Sequence, residues 1–273
     1  MKLISKLIVY IFPLISILVI INHVFILGLV LLILYLLWIL LPFILKAGTN
    51  YSLMKSTNEY KKGNIEEAIR IYKKVYDKGK EKASSLFIYA YFLIKVGRLT
   101  EFEEVLEALS KIQLNDKEKV DFTANRALLH MKRGELIDAK DILEKEIVER
   151  KSSVIYGSLG YLYILMNDLS KALEFNIEAN EFNSTDTVIA DNLGQTYFLL
   201  KEYSLAEKIY IKLMEEKPTF PDCYYNYGLV LEALNKKSEA LEEYKKALGC
   251  NFSFLSSVNE KTLEEVIENI NSD

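Results

Sequence analysis

Residues 153–186 read SVIYGSLGYLYILMNDLSKALEFNIEANEFNSTD, residues 187–220 read TVIADNLGQTYFLLKEYSLAEKIYIKLMEEKPTF, and residues 221–254 read PDCYYNYGLVLEALNKKSEALEEYKKALGCNFSF. Set under one another, the three stretches of 34 residues share their small residues. Gly160, Gly194 and Gly228 occupy one column, each preceded by Leu or Tyr, and Ala172, Ala206 and Ala240 occupy another. Ala179 and Ala247 recur further on, with Leu213 in the middle copy, and Pro218 closes that copy. A fixed period of this length marks a repeated supersecondary unit. Two helices of a hairpin approach closely only where Gly or Ala faces the neighbour, so Gly160, Ala172, Gly194, Ala206, Gly228 and Ala240 are the predicted packing set. The frame continues toward the N-terminus. Ala127, Gly134 and Ala139 fit one earlier copy, Ala90 and Gly97 another, and Gly63, Ala68 and Tyr72 a first. Repeats then start near residues 49, 83, 120, 153, 187 and 221. The second copy departs most, with Phe102 in place of the inter-helix alanine, and an excess of three residues around Asn115, Asp116 and Lys117 is expected to lengthen a turn.

On these columns the chain resembles the tetratricopeptide repeat (TPR) family, over about residues 49–254 in six copies. The resemblance implies an all-α fold: helix hairpins stacked into a right-handed solenoid with a concave inner face. No single hairpin can bury its apolar face, so the copies must stack and the ends need polar caps. Residues 255–273 supply such a cap. Leu263, Val266, Ile267 and Ile270 share one helical face, and Ser257 to Glu260 has the spacing of a capping box that opens the helix.

The first 48 residues are of another kind. They hold Lys2, Lys6 and Lys46 and no acidic residue, and the first carboxylate is Glu59. Residues 7–21 and 24–45 are free of charge, with Asn22 and His23 as the polar break between them. The second run of 22 residues would make a helix about 33 Å long, enough to span a bilayer core. The first reaches that length if it begins near Leu3. Two transmembrane helices, about 3–21 and 24–45, joined by a tight turn, are the expected reading, with Pro42 in the last turn of the second. A signal peptide lacks its small-residue cleavage site here. A single span with the other run lying in the interface is the remaining alternative. Lys2 and Lys6 precede the first run, while Lys46, Lys55, Lys61 and Lys62 follow the second, so the positive-inside rule places both ends in the cytoplasm. The expectation is a multi-pass protein of the cell membrane with residues 1–48 in contact with lipid and a cytoplasmic solenoid.

Residues 49–273 hold 31 basic and 38 acidic groups, a balance that argues against a nucleic-acid partner. Two Cys 27 positions apart make neither a disulfide framework nor a metal knuckle. No phosphate-loop, dinucleotide, zinc-protease or nucleophile-elbow motif occurs. His130 falls at a repeat position expected to be a packed core aromatic. No catalytic residue, metal, cofactor or small-molecule substrate is expected.

The resemblance does point to a groove. In TPR proteins the first helix of each repeat lines the concave face, and its sixth position often touches a peptide. That position reads Met54, Ile88, Asn125, Ser158, Asn192 and Asn226, with Asp191, Tyr161, Gln195 and Tyr225 beside it. An asparagine amide carries both a donor and an acceptor and can pair with the backbone of an extended chain. The chaperone-binding members grip a terminal carboxylate with basic residues. Asp121, Val154, Val188 and Asp222 stand where part of that clamp would sit, which argues against such a ligand. The leading expectation is a membrane-anchored adaptor that binds a protein or peptide partner in its groove. The alternatives are an envelope-assembly protein with the solenoid outside the membrane, and an accessory subunit of a membrane enzyme or transporter.

Overall fold

The structure, a computed structural model, describes residues 11–17, 25–79 and 82–272. It divides into two compact units, Met1–Lys78 and Gly79–Asp273.

In the first unit residues 11–17 are helical (α1), and Phe25–Lys61 is one helix of 37 residues (α2). The proposed turn at Asn22 and His23 lies outside the described residues, as does most of the first apolar run. Among the described residues one helix, α2, is long and apolar enough to cross a membrane. At 1.5 Å per residue α2 is about 55 Å long. It runs through Pro42 instead of ending there, and crosses residue 48 without a break. The polar residues that follow the apolar run do not interrupt it, and their hydroxyls are satisfied within the helix by carbonyls four residues earlier: Thr49 by Leu45 at 3.1 Å, Ser52 by Gly48 at 2.9 Å, Thr57 by Leu53 at 3.0 Å. The C-terminal part of α2 and Ile65–Gly79 (α3) form a hairpin, pinned by Ser56 Oγ donating to the Ala68 carbonyl at 2.7 Å.

The second unit contains five further hairpins. They pair Ala83–Lys95 (α4) with Leu99–Ser110 (α5), Asp116–Arg133 (α6) with Leu136–Glu149 (α7), and Ser153–Leu165 (α8) with Leu169–Phe182 (α9). Thr187–Leu199 (α10) pairs with Tyr203–Glu215 (α11), and Pro221–Ala233 (α12) with Lys237–Leu248 (α13). Glu260–Ser272 (α14) packs on α13. Every hairpin reverses through a residue with left-handed backbone: Gly63, Gly97, Gly134, Asn167, Lys201 and Asn235. Glycine tolerates this conformation, and Asn pays little for it. These positions are spaced 34, 37, 33, 34 and 34 apart, the spacing of the repeat starts. The expected lengthened turn is instead a lengthened helix. Asn115 and Glu118 close a capping box, and α6 takes up the excess as 18 residues against 13 in α8, α10 and α12.

Packing follows the small residues. Ala172, Ala206 and Ala240 are fully buried, as is Phe102 at the equivalent place. A methyl group at Gly160 would lie 1.9 Å from Asn176 Oδ1, at Gly194 2.6 Å from the Tyr210 ring, and at Gly228 2.2 Å from the Tyr244 ring. An amide at Gly160 and large aromatic rings at Gly194 and Gly228 thus fill the space that each glycine leaves. The last helix differs from expectation at its cap. Asn259 Oδ1 accepts from the Thr262 N–H at 2.9 Å and starts α14, while Ser257 donates from its backbone N–H to Asp222 at 2.5 Å. Val266, Ile267 and Ile270 pack against the adjoining core, so α14 does close the stack.

Candidate functional site

The first helices of the hairpins in the second unit, together with residues 251–257, line a concave, half-open cavity of about 630 Å³. Val154, Ser158 and Tyr161 of α8, Asp191, Asn192 and Gln195 of α10, and Asp222 and Asn226 of α12 line it. Each helix contributes residues three or four apart, the interval that brings side chains to one face. Ser158, Tyr161, Asp191, Asn192, Gln195 and Asn226 are therefore brought together. Asn125 and Tyr225 are not in its wall. Asn125 Nδ2 donates to the Asp121 carbonyl of its own helix at 2.7 Å, and the Tyr225 ring lies 5.8 Å from that of Tyr244.

The asparagines also serve the stack itself. Asn192 Nδ2 donates to the Gly157 carbonyl at 2.8 Å, and Asn226 Nδ2 donates to Asp191 Oδ1 at 3.2 Å. Donor and acceptor are 35 residues apart in both cases. The sixth residue of one inner helix thus bonds to the fifth of the preceding one, by its backbone where that residue is Gly and by its side chain where it is Asp. Both asparagines are buried. Their amide donors hold neighbouring repeats together, and Ser158 and Gln195 share the wall beside them.

Electrostatically the cavity is mixed. Asp191 is buried and accepts a further hydrogen bond from the Tyr210 hydroxyl at 3.0 Å. Burial pushes its carboxyl up to about 7, against the two hydrogen bonds, which favour the anion. The Tyr161 phenol is raised by burial and by the charges of Asp222 and Asp191. Opposite them stand Lys95 and Lys132. Burial lowers the Lys132 ammonium, and the charge of Asp222 opposes that shift.

Sequence reasoning missed Lys132 and the segment 251–257, which supplies Asn251, Ser253, Leu255, Ser256 and Ser257 to the wall. Nothing local in the sequence marks Lys132. A signal for the segment was available in its serines and aromatics, a composition unlike that of the helices.

His130 is not a packed core residue. It is half-buried at the end of α6, with Nδ1 2.7 Å from Glu135 Oε2. His130, Glu135 and Asp138 bring ligand-type atoms within 4.8 Å of one another, with both carboxylates exposed. Cys223 and Cys250 are free thiols, and burial raises both.

This architecture defines a helical-hairpin repeat protein with a concave site. The sequence model of the tetratricopeptide repeat matches residues 189–220 and 221–252, and the helical solenoid is TPR-like in architecture. The chain is 25% identical over 183 residues to the BBSome complex member BBS4 of Bos taurus, covering 67% of this chain and 35% of that protein. It is 21% identical over 184 residues to a TPR repeat-containing protein of Methanocaldococcus jannaschii, covering 67% and 31%. The chain thus spans about a third of the length of these relatives. A tetratricopeptide repeat protein from Parabacteroides merdae superposes with a TM-score of 0.63 at 16% identity, covering 82% of this chain and 84% of that one.

Proposed function

We propose that the protein is a membrane-anchored adaptor that docks a short segment of a partner protein in the concave cavity. The cavity carries this reading. Its walls come from the inner helices of successive hairpins, it combines hydrogen-bonding with apolar groups, and its volume is of the order of a specific ligand site. Solenoids use such concave surfaces for binding, and the TPR fold is consistent with an adaptor or scaffold. The partner is a protein or peptide, and no cofactor enters the reading. Anchoring rests on the apolar stretch of α2 and on the first charge-free run, residues 7–21, before it. We place the solenoid at the cytoplasmic face because the lysines flank both runs and are missing from the turn. Confinement to a surface raises the effective concentration for a partner held there too.

The test is site-specific photo-cross-linking in cells, with the photoreactive residue at Ser158 or Gln195 and, as a control, at exposed Glu174 of α9. A partner captured from the cavity positions and not from Glu174 is the expected outcome. Equal capture from all three would place the interaction elsewhere. Retention in membranes after carbonate wash tests the anchor, and release into the soluble fraction refutes it.

A further inference from the structure

The connection between α13 and α14, residues 249–259, does not take the short path from one helix to the next. It crosses to the opposite end of the second unit. The Phe254 N–H donates to the Lys95 carbonyl at 3.0 Å. Lys95 ends α4, where the last carbonyls of a helix lack intrahelical partners. The Phe254 ring lies on Gly97, so close that a methyl group there would be 3.0 Å from it. Lys132 of α6 donates to the Phe254 carbonyl at 2.9 Å and to the Leu255 carbonyl at 3.5 Å, and its ammonium lies 5.1 Å from the centre of the Phe254 ring. At its far end the segment is held by Ser257, whose N–H donates to Asp222 at 2.5 Å. Between these anchors Ser253 and Ser256 close a turn: the Ser256 N–H donates to the Ser253 carbonyl at 3.0 Å, presenting Phe254 and Leu255 at the tip.

We propose that residues 251–257 are a strap across the concave cavity, clasped on the first hairpins of the second unit through Phe254, and that the cavity admits a partner when this clasp opens. The inference rests on the docking reading given above and adds its regulation. The strap lines the same cavity as Ser158, Asn192 and Gln195. Its hold is slight beside that of a helix. At the tip the Phe254 N–H, Lys132 and a ring that is 43% exposed make the clasp, while Phe252 beside it packs on the adjoining core. Segments with few buried contacts open locally, far below the free energy of global unfolding. A partner that needs the open state meets a lower apparent affinity in proportion to how seldom the clasp opens. Removing the clasp removes that handicap, while the helices that form the cavity stay in place.

The experiment uses the full chain in mild detergent, with Cys223→Ala and Cys250→Ser removing the native thiols and Ser158→Cys placing one in the cavity. The rate of labelling by a polyethylene-glycol maleimide is compared with that by a small alkylating reagent. Phe254→Ala is expected to raise the bulky reagent's rate about five-fold or more relative to the small one. Lys132→Met, which keeps the apolar stem, is expected to act in the same direction. Native-state hydrogen exchange supplies an independent readout: the Phe254 amide is expected to be protected in the parent and to exchange freely in Lys132→Met. Unchanged rate ratios in both variants would overturn the strap, as would a Phe254 amide that exchanges freely in the parent. Labelling needs no partner, so such a result would leave the docking reading standing. Cross-linking from Glu174 as strong as from Ser158 would instead overturn that reading, whatever the strap does.

Discussion

Gly228→Ala is the sharpest probe of how closely the two helices of a hairpin approach. The added methyl group would lie 2.2 Å from Tyr244 Cε1 and 2.6 Å from two further ring atoms. That ring has no room to yield. Tyr244 is fully buried, its hydroxyl is hydrogen-bonded to Glu232, and the Tyr225 ring lies 5.8 Å away. Overpacking of this kind costs about 1–3 kcal/mol, and contact with three atoms of a fixed ring belongs at the upper end. Alanine in place of glycine inside a helix returns about 1 kcal/mol of propensity. The balance is a loss of about 2 kcal/mol. For a fragment of this size that is a fall in melting temperature of roughly 4–8 °C. The assay is thermal unfolding of residues 49–273 followed by circular dichroism at 222 nm, with Gly157→Ala as the companion. There the methyl group meets only the Val188 side chain, at 3.2 Å, so little change or a small gain is expected. A Gly228→Ala protein that melts at or above the parent temperature would refute the close approach of α12 to α13. If both variants lost stability equally, the discrimination drawn from the geometry would fail.

Two further outcomes follow from the inner wall. Asp191 has a folded-state carboxyl at about 7, above its ordinary 3.8. The folded form therefore holds a proton that the unfolded chain gives up. That contribution is fully present below about pH 4, is lost as pH rises toward 7, and levels off above it. Melting temperature against pH should show this decline, and Asp191→Asn should flatten it; an unchanged slope would show that another group is responsible. Asn192→Ala with Asn226→Ala should destabilise the array by about 1–3 kcal/mol per site, because the Gly157 carbonyl and the buried Asp191 carboxylate lose donors. Urea titration of the double variant measures this, and parent-like stability would show that these bonds are dispensable.

The hairpins were legible in the sequence because each depends on a residue whose size is the message. Gly160, Gly194 and Gly228 recur since an aromatic or an amide occupies the space a methyl group would need. The left-handed turn was half legible. Glycine announces it at Gly63, Gly97 and Gly134, but Asn167, Lys201 and Asn235 adopt the same conformation, and of those three Lys201 gives no hint. The three extra residues between the second and third repeat starts were visible as a number and misplaced as structure. A capping box at Asn115 turned them into helix, and the spacing count could not distinguish loop from helix.

The candidate site was legible in position and not in chemistry, and the reason is general to stacked repeats. A polar residue on an inner helix has two neighbours competing for it: the solvent or ligand in front, and the preceding repeat beside it. Asn192 and Asn226 are resolved toward the neighbouring repeat, since the fifth residue of the helix before each offers an acceptor within reach. Ser158 and Gln195 share the same wall without that assignment. The choice is made by the identity of a residue 35 positions earlier, Gly157 in one case and Asp191 in the other. Such a relation cannot be seen inside one repeat; it emerges only when two are placed in register. The same holds for the strap. Phe254 and Lys132 are 122 residues apart, and only the curvature of the stack brings them together. The arrangement of polar groups on the inner wall is thus set by contacts between repeats, while the repeats themselves carry the fold.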